Sequence, residues 1–298
     1  MSAEAAGVIH DLGYQRYEGG RLGRLPIVRA LTIYSLRAAF GLGRGARAKI
    51  IPVGAFAVIC APALANAYVV ARGGSRAFPY DTYVDQVRVL VMTIFVAAQA
   101  PELVSRDLRS RVLPLYFARP MRRSDYPLAK LTALTIACLA MIEIPLLLLY
   151  LGTVASAHSG GAVWAQTRAL VPGLGMGALW AVVMASIGLA LASLSGRRAY
   201  ATGAVAIYFF LSWTLSQILI SVTQHGPPSA VPSTGARLGG LLSPFTVLDG
   251  VRQWLGGTSP GPVPGVGAYG PAYGAVLLVL VAAAIAVLAT RYQKADAT

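Results

Sequence analysis

Six stretches of this sequence are too long and too apolar for the core of a water-soluble domain. They lie at about residues 50–71, 84–104, 127–151, 170–194, 200–222 and 272–290. The hydrocarbon layer of a bilayer is about 30 Å thick and takes ~20 helical residues to cross. Inside it every backbone N–H and C=O must find a partner within the protein, which leaves helices as the spanning element for runs of this kind. With 56% hydrophobic and 12% charged residues and a mean hydropathy of +0.63, the chain is expected to be an all-α polytopic membrane protein with six transmembrane helices.

Charge distribution sets the expected orientation. A net charge of +14 raises nucleic-acid binding as one explanation. The other is the excess of Lys and Arg in cytoplasmic loops. Six spans put both termini on one side, and that side collects 19 of the 25 basic residues. The groups are Arg16 to Lys49, Arg106 to Lys130, Arg197 with Arg198, and Arg291 with Lys294. The other side holds only Arg72, Arg76, Arg88, Arg168, Arg237 and Arg252. The bias accounts for most of the net charge, so both termini are expected in the cytoplasm of a cell-membrane protein, with lipid and no nucleic acid as partner. Residues 1–49 then form a cytoplasmic arm and an interfacial helix over Ile27 to Phe40, and residues 50–298 the six-span domain. The first 49 residues hold no short apolar core before a small-residue cleavage site, so no signal peptide is expected.

Between the second and third spans lies PELVSRDLRSRVLPLYFARPMRRSDYPLAK, residues 101–130. Glu102, Arg106, Asp107, Arg109 and Arg111 recur at helical spacing where the second span leaves the membrane. Leu108, Val112, Leu113, Leu115, Tyr116 and Phe117 follow as an apolar strip, and Arg119-Pro120 breaks the chain before Arg122, Arg123, Asp125, Pro127 and Lys130. A short helix with one apolar face can dock into a groove on another protein. It can equally lie in the headgroup layer.

This stretch resembles the signature segment of the ABC type-2 permease family, at Asp107, Leu113, Leu115, Pro120, Arg123 and Lys130. It departs from that pattern at Arg111-Val112 and at Pro114, where a proline would kink or shorten the helix. A second likeness is LLSPFTVLDGVRQWL, residues 241–255, in which Pro244, Asp249 and Arg252 match the segment before the family's last span with one residue fewer between proline and arginine. The resemblance implies a coupling helix between spans two and three, short extracellular re-entrant helices before span six, a second permease copy as homodimer or heterodimer, and a separate ABC ATPase subunit. Its coupling residues would be Arg106, Asp107, Arg109, Leu113, Leu115, Tyr116, Pro120, Arg123 and Lys130. No G-x-x-x-x-G-K-[ST] phosphate loop occurs in the sequence, GLGRGARAK having the wrong spacing. ATP and magnesium are therefore expected on the partner, with no cofactor on this chain and no catalysis by it. Export of a hydrophobic or amphipathic molecule is the expected function.

Other residues carry open alternatives. Glu143 is the one ionisable side chain deep in a span, where charge is costly and often functional. It could line a substrate path, bind a cation or hold a dimer, or it could hydrogen-bond the backbone opened by Pro145. Asp249 and Arg252 could pair on a helix surface or form an outer gate. Phe209 and Trp213, with Tyr208 and Phe210, could meet substrate or lipid. Gly173, Gly177, Ala181 and Ala185 recur every four residues, a spacing that lets helices approach closely but can arise by chance in an alanine-rich chain. Cys60 and Cys138 read as small apolar residues. A secondary transporter built on Glu143 is the main alternative function. An intramembrane enzyme is disfavoured, because His10, His158 and His225 all fall in the terminal arm or loops and no metal site is expected.

Overall fold

The computed structural model describes residues 19, 23–74, 80, 85–118, 120–157, 159–224, 232–257, 261, 263 and 265–293, with side chains of 85–88 outside the description. All three histidines, Arg76, Arg119, Lys294 and most of the N-terminal arm lie outside the described residues, as do the side chains of Asp85 and Arg88. Every regular element among the described residues is helical. In chain order these are α1 (Arg24–Ala39), α2 (Ala46–Ala71), α3 (Asp85–Arg109), α4 (Leu113–Phe117), α5 (Asp125–Ala155), α6 (Gly160–Ser193), α7 (Arg198–Thr223), α8 (Thr234–Gly239), α9 (Pro244–Trp254) and α10 (Gly270–Gln293). Short 3-10 turns, Gly240–Leu242 and Gly267–Tyr269, precede α9 and α10.

Six of them, α2, α3, α5, α6, α7 and α10, are long and apolar enough to cross a membrane. Proline inside α2 (Pro52, Pro62), α3 (Pro101), α5 (Pro145) and α6 (Pro172) does not end those helices, as neighbouring helices can re-satisfy the freed backbone groups. In their most apolar windows 72% of α3 and 67% of α6 are buried, against 17% of α7 and 22% of α10. The first two therefore form the centre. The outer helices present Leu278, Val279, Ile207 and Leu211 outward, each more than half exposed, a surface suited to lipid rather than water.

Small residues set the helix spacing, as they must where lipid is as apolar as leucine. Gly173 of α6 faces Leu146 of α5 and Gly188 faces Val96 of α3. Ala181 and Ala185 between them are fully buried. The glycines of the four-residue repeat, Gly173 and Gly177, thus pack against α5, and Gly188 makes a separate close approach to α3. Gly152 of α5 makes the matching approach to α2, where an added Cβ would lie 2.9 Å from the Ala67 Cα.

Several boundaries differ from the sequence reading. The fourth span begins at Gly160, so Gly160 and Gly161 are its first turn and not a loop. Ser159 caps it by accepting the Ala162 N–H at 3.2 Å, which satisfies a donor that a helix start leaves open. The 101–130 segment also breaks at Arg111, φ +50°, just after α3 ends, so the apolar strip from Leu108 to Phe117 is split between α3 and the one-turn α4. The expected break at Arg119-Pro120 lies between α4 and α5, with Arg119 outside the described residues. Pro114 sits in the first turn of α4, where proline's missing N–H breaks no hydrogen bond.

The segment between α7 and α10 folds back on the bundle as α8 and α9. All residues of α9 from Pro244 to Arg252 are buried. Phe245 packs on Phe209 and Trp180 at ring distances of 5.6 and 5.3 Å.

Candidate functional site

Chain direction brings the end of α3, all of α4, the start of α5, the α6–α7 turn and the end of α10 to one end of the bundle. Helix α1 lies across that end, because both of its flanks are fastened there. Arg24 at its start grips Asp125 with two donors, Nε at 2.6 Å and Nη2 closer still. Arg44, beyond its last turn, pairs with Glu102. The hydrogen-bonded Asp125 carboxylate holds the Arg24 guanidinium above its ordinary pKa. Its inward face consists of Leu31, Ser35, Ala38 and Ala39. Three of those four are small, so hydropathy alone marks the face poorly.

Behind α1 stands a buried polar cluster. The Tyr126 hydroxyl donates to Asp107 Oδ2 at 2.7 Å, and Lys130 Nζ reaches the same oxygen at 2.9 Å. Tyr126 is fully buried and Lys130 is 2% exposed. The ammonium also lies 5.3 Å from the Tyr126 ring centre, a favourable cation–π distance. The Tyr126 ring stacks at 5.5 Å on Tyr116 of α4 and at 5.0 Å on Tyr292 of α10. Arg123 adds a hydrogen bond to the Gln293 carbonyl at 3.2 Å. One tyrosine therefore joins α3, α4, α5 and α10.

On α4 itself Leu113 is buried, Tyr116 is half-buried on Tyr126, and Leu115 points outward, 70% exposed. Beside Leu115 a cleft of about 320 Å³ runs between α1, α3 and α4, with Tyr34, Arg44, Glu102, Arg106 and Lys130 in its walls. Arg109 and Pro120 are exposed. Of the nine residues expected to couple, Asp107, Lys130 and Leu113 face inward as supports, while Arg106, Arg109, Leu115, Pro120 and Arg123 lie on the surface and Tyr116 joins the two sets.

Glu102 and Tyr126 are the residues that the sequence reading left out of the site. The Glu102 carboxylate, 9% exposed, meets Arg198 at 2.9 Å and Arg106 at 3.7 Å besides Arg44. It thereby fastens the α1–α2 loop and the α6–α7 turn to α3. Its proximity to Arg106 at four-residue spacing was readable; the partners from distant loops were not.

The remaining candidates lie away from this end. Glu143 carries its carboxylate against Gly177 in the α5–α6 seam, with both oxygens buried. Phe209 is fully buried and is core between α7 and α9, and Trp213 is half-buried beside it. Asp249 and Arg252 do pair, at 2.6 Å, but in the interior and not on a helix surface. Asp249 also accepts the Val263 N–H at 3.0 Å and the Gln253 amide at 3.1 Å. The pair is thus built into the connection that leads to α10.

Set against models of protein families and against curated proteins, the chain matches none.

Proposed function

We propose that this chain is the membrane-spanning permease subunit of an ATP-driven ABC transporter of the type-2 class, energised by a separate ATPase subunit. The observation that carries the reading is the anchoring of α4. This one-turn helix is fastened through Tyr116 to the Tyr126 hub, and so to α3, α5 and α10, while Leu115 is held outward next to a cleft. A push on such an element is delivered to three membrane helices at once, which a coupling helix requires and a lipid-facing surface turn does not. The resemblance of residues 101–130 and 241–255 to the family's segments supports the same reading.

In this proposal the end bearing α4 faces the cytoplasm, α8 and α9 dip back from the outer face, and two permease copies work with two ATPases. ATP and magnesium belong to the ATPase, and the transported molecule is hydrophobic or amphipathic. The test is co-expression with an ABC ATPase subunit that copurifies with this chain. Replacing Leu115 and Tyr116 by aspartate should leave the complex in the membrane and uncouple ATP hydrolysis from transport. Transport and substrate-stimulated hydrolysis that survive the double change would refute the coupling role.

A second reading rests on Glu143, whose buried carboxylate lies at a helix seam, as a proton- or cation-linked site of a secondary transporter would. Glu143→Gln separates them. Transport that becomes independent of pH favours the secondary transporter, and unchanged rates across pH leave Glu143 a packing role.

A further inference from the structure

At the end of the bundle that holds α4, arginines outnumber carboxylates by far and converge on one groove. A cavity of about 1270 Å³ lies between α2, α3 and α7, with Arg109, Arg197 and Arg198 on its rim and Ile51, Ala98 and Gly203 in its walls. An adjoining cleft of about 330 Å³ shares Ile51 and Arg198 and adds Arg44, Arg47, Arg106 and Glu102. Six arginines thus surround one carboxylate. Glu102 engages Arg44, Arg106 and Arg198. Arg47, Arg109 and Arg197 form no ion pair among the described residues, and Arg197 only leans on the Tyr200 ring at 5.7 Å.

A topological bias toward basic loops would explain arginines scattered over this end. It does not explain their convergence on a groove whose wall is apolar. Ile51 is 39% exposed, and Ala98, Ala199 and Gly203 join it in the wall. Gly203 leaves open space where a side chain would stand. A phosphate at Arg109 and Arg197 with an acyl chain along that wall satisfies both halves of the groove, as basic pockets between membrane helices do for anionic headgroups. Guanidinium forks suit phosphate oxygens in particular.

We propose that this groove binds an anionic phospholipid, headgroup at Arg109 and Arg197 and chain along Ile51 and Gly203. The inference needs only the six membrane helices and stands whether or not the chain is an ABC permease.

The experiment uses the full chain purified in zwitterionic detergent, titrated with phosphatidylglycerol or phosphatidylcholine, with bound lipid counted by native mass spectrometry. Phosphatidylglycerol should bind in preference, and each of Arg109→Gln and Arg197→Gln should weaken it about five-fold. Gly203→Leu keeps every charge and fills the wall, so it should weaken binding as well, which guards against arginine variants that merely misfold. Arg29→Gln, on the exposed side of α1 and away from the groove, should change nothing. Inorganic phosphate alone should not displace the lipid. Equal binding of the two lipids, an Arg29→Gln loss as large as that of Arg109→Gln, unchanged binding in Gly203→Leu, or full displacement by phosphate would each overturn the proposal.

Discussion

Tyr126 carries two separable duties, and its hydroxyl and ring can be tested apart. Tyr126→Phe keeps the stacks on Tyr116 and Tyr292 and removes the 2.7 Å bond to Asp107. A hydrogen bond to a charged group is worth about 2 kcal/mol, so the unfolding midpoint in detergent should drop by that equivalent. Lys130→Met should cost more, about 3–5 kcal/mol, because it leaves the Asp107 charge inside the protein without its cation. Adding Asp107→Asn to Lys130→Met should restore part of the loss. If the double variant is as unstable as the sum of the single ones, the two residues do not act as a pair. Sequence alone marked Asp107 and Lys130, but as parts of a docking element. Their burial depends on α1 lying over them, and the small residues of α1's inner face gave no hydropathy signal for that.

Among the elements, the long helices were legible and their ends were less so. Runs of twenty apolar residues admit one secondary structure in a bilayer, so α2, α5, α7 and α10 depart from the reading by only a few residues. The start of α6 was misread because glycine density ordinarily signals a loop, whereas Ser159 supplies the cap that lets Gly160 and Gly161 begin a helix. The Arg111 break was illegible because arginine seldom adopts positive φ. Close helix approach at Gly152 was also missed, since its partner Ala67 is far away in sequence. That contact makes a direct prediction. Gly152→Ala forces a methyl group onto the α2 backbone and should destabilise the protein by about 1–3 kcal/mol, the range for overpacking. Gly161→Ala, where an added Cβ meets nothing within 4 Å, should leave the midpoint unchanged. Because alanine favours a helix over glycine, an equal loss in both variants, or no loss in Gly152→Ala, would mean that the α2–α5 contact does not set the cost.

For the whole molecule, the asymmetry between the two ends decides how it sits in a membrane. One end gathers Arg24, Arg44, Arg106, Arg123 and Arg198, tied to Glu102, Asp125 and each other's elements. The opposite end buries its one described ion pair, Asp249 with Arg252, on the inner side of α9. Lys and Arg close to helix ends are retained on the cytoplasmic side, so the α4 end should face inward. Ser124, exposed just before α5, and Gly161, exposed at the start of α6, mark the two ends. Neither Cys60 nor Cys138 competes for label, since both are buried. In intact cells a membrane-impermeant maleimide should therefore react with Gly161→Cys and spare Ser124→Cys. After permeabilisation both should react. The reverse pattern would invert the molecule and place α4 outside, where no ATPase could reach it, removing the coupling role together with the orientation. Ser124→Cys spared and Gly161→Cys labelled would leave α4 on the side that the proposed coupling role requires.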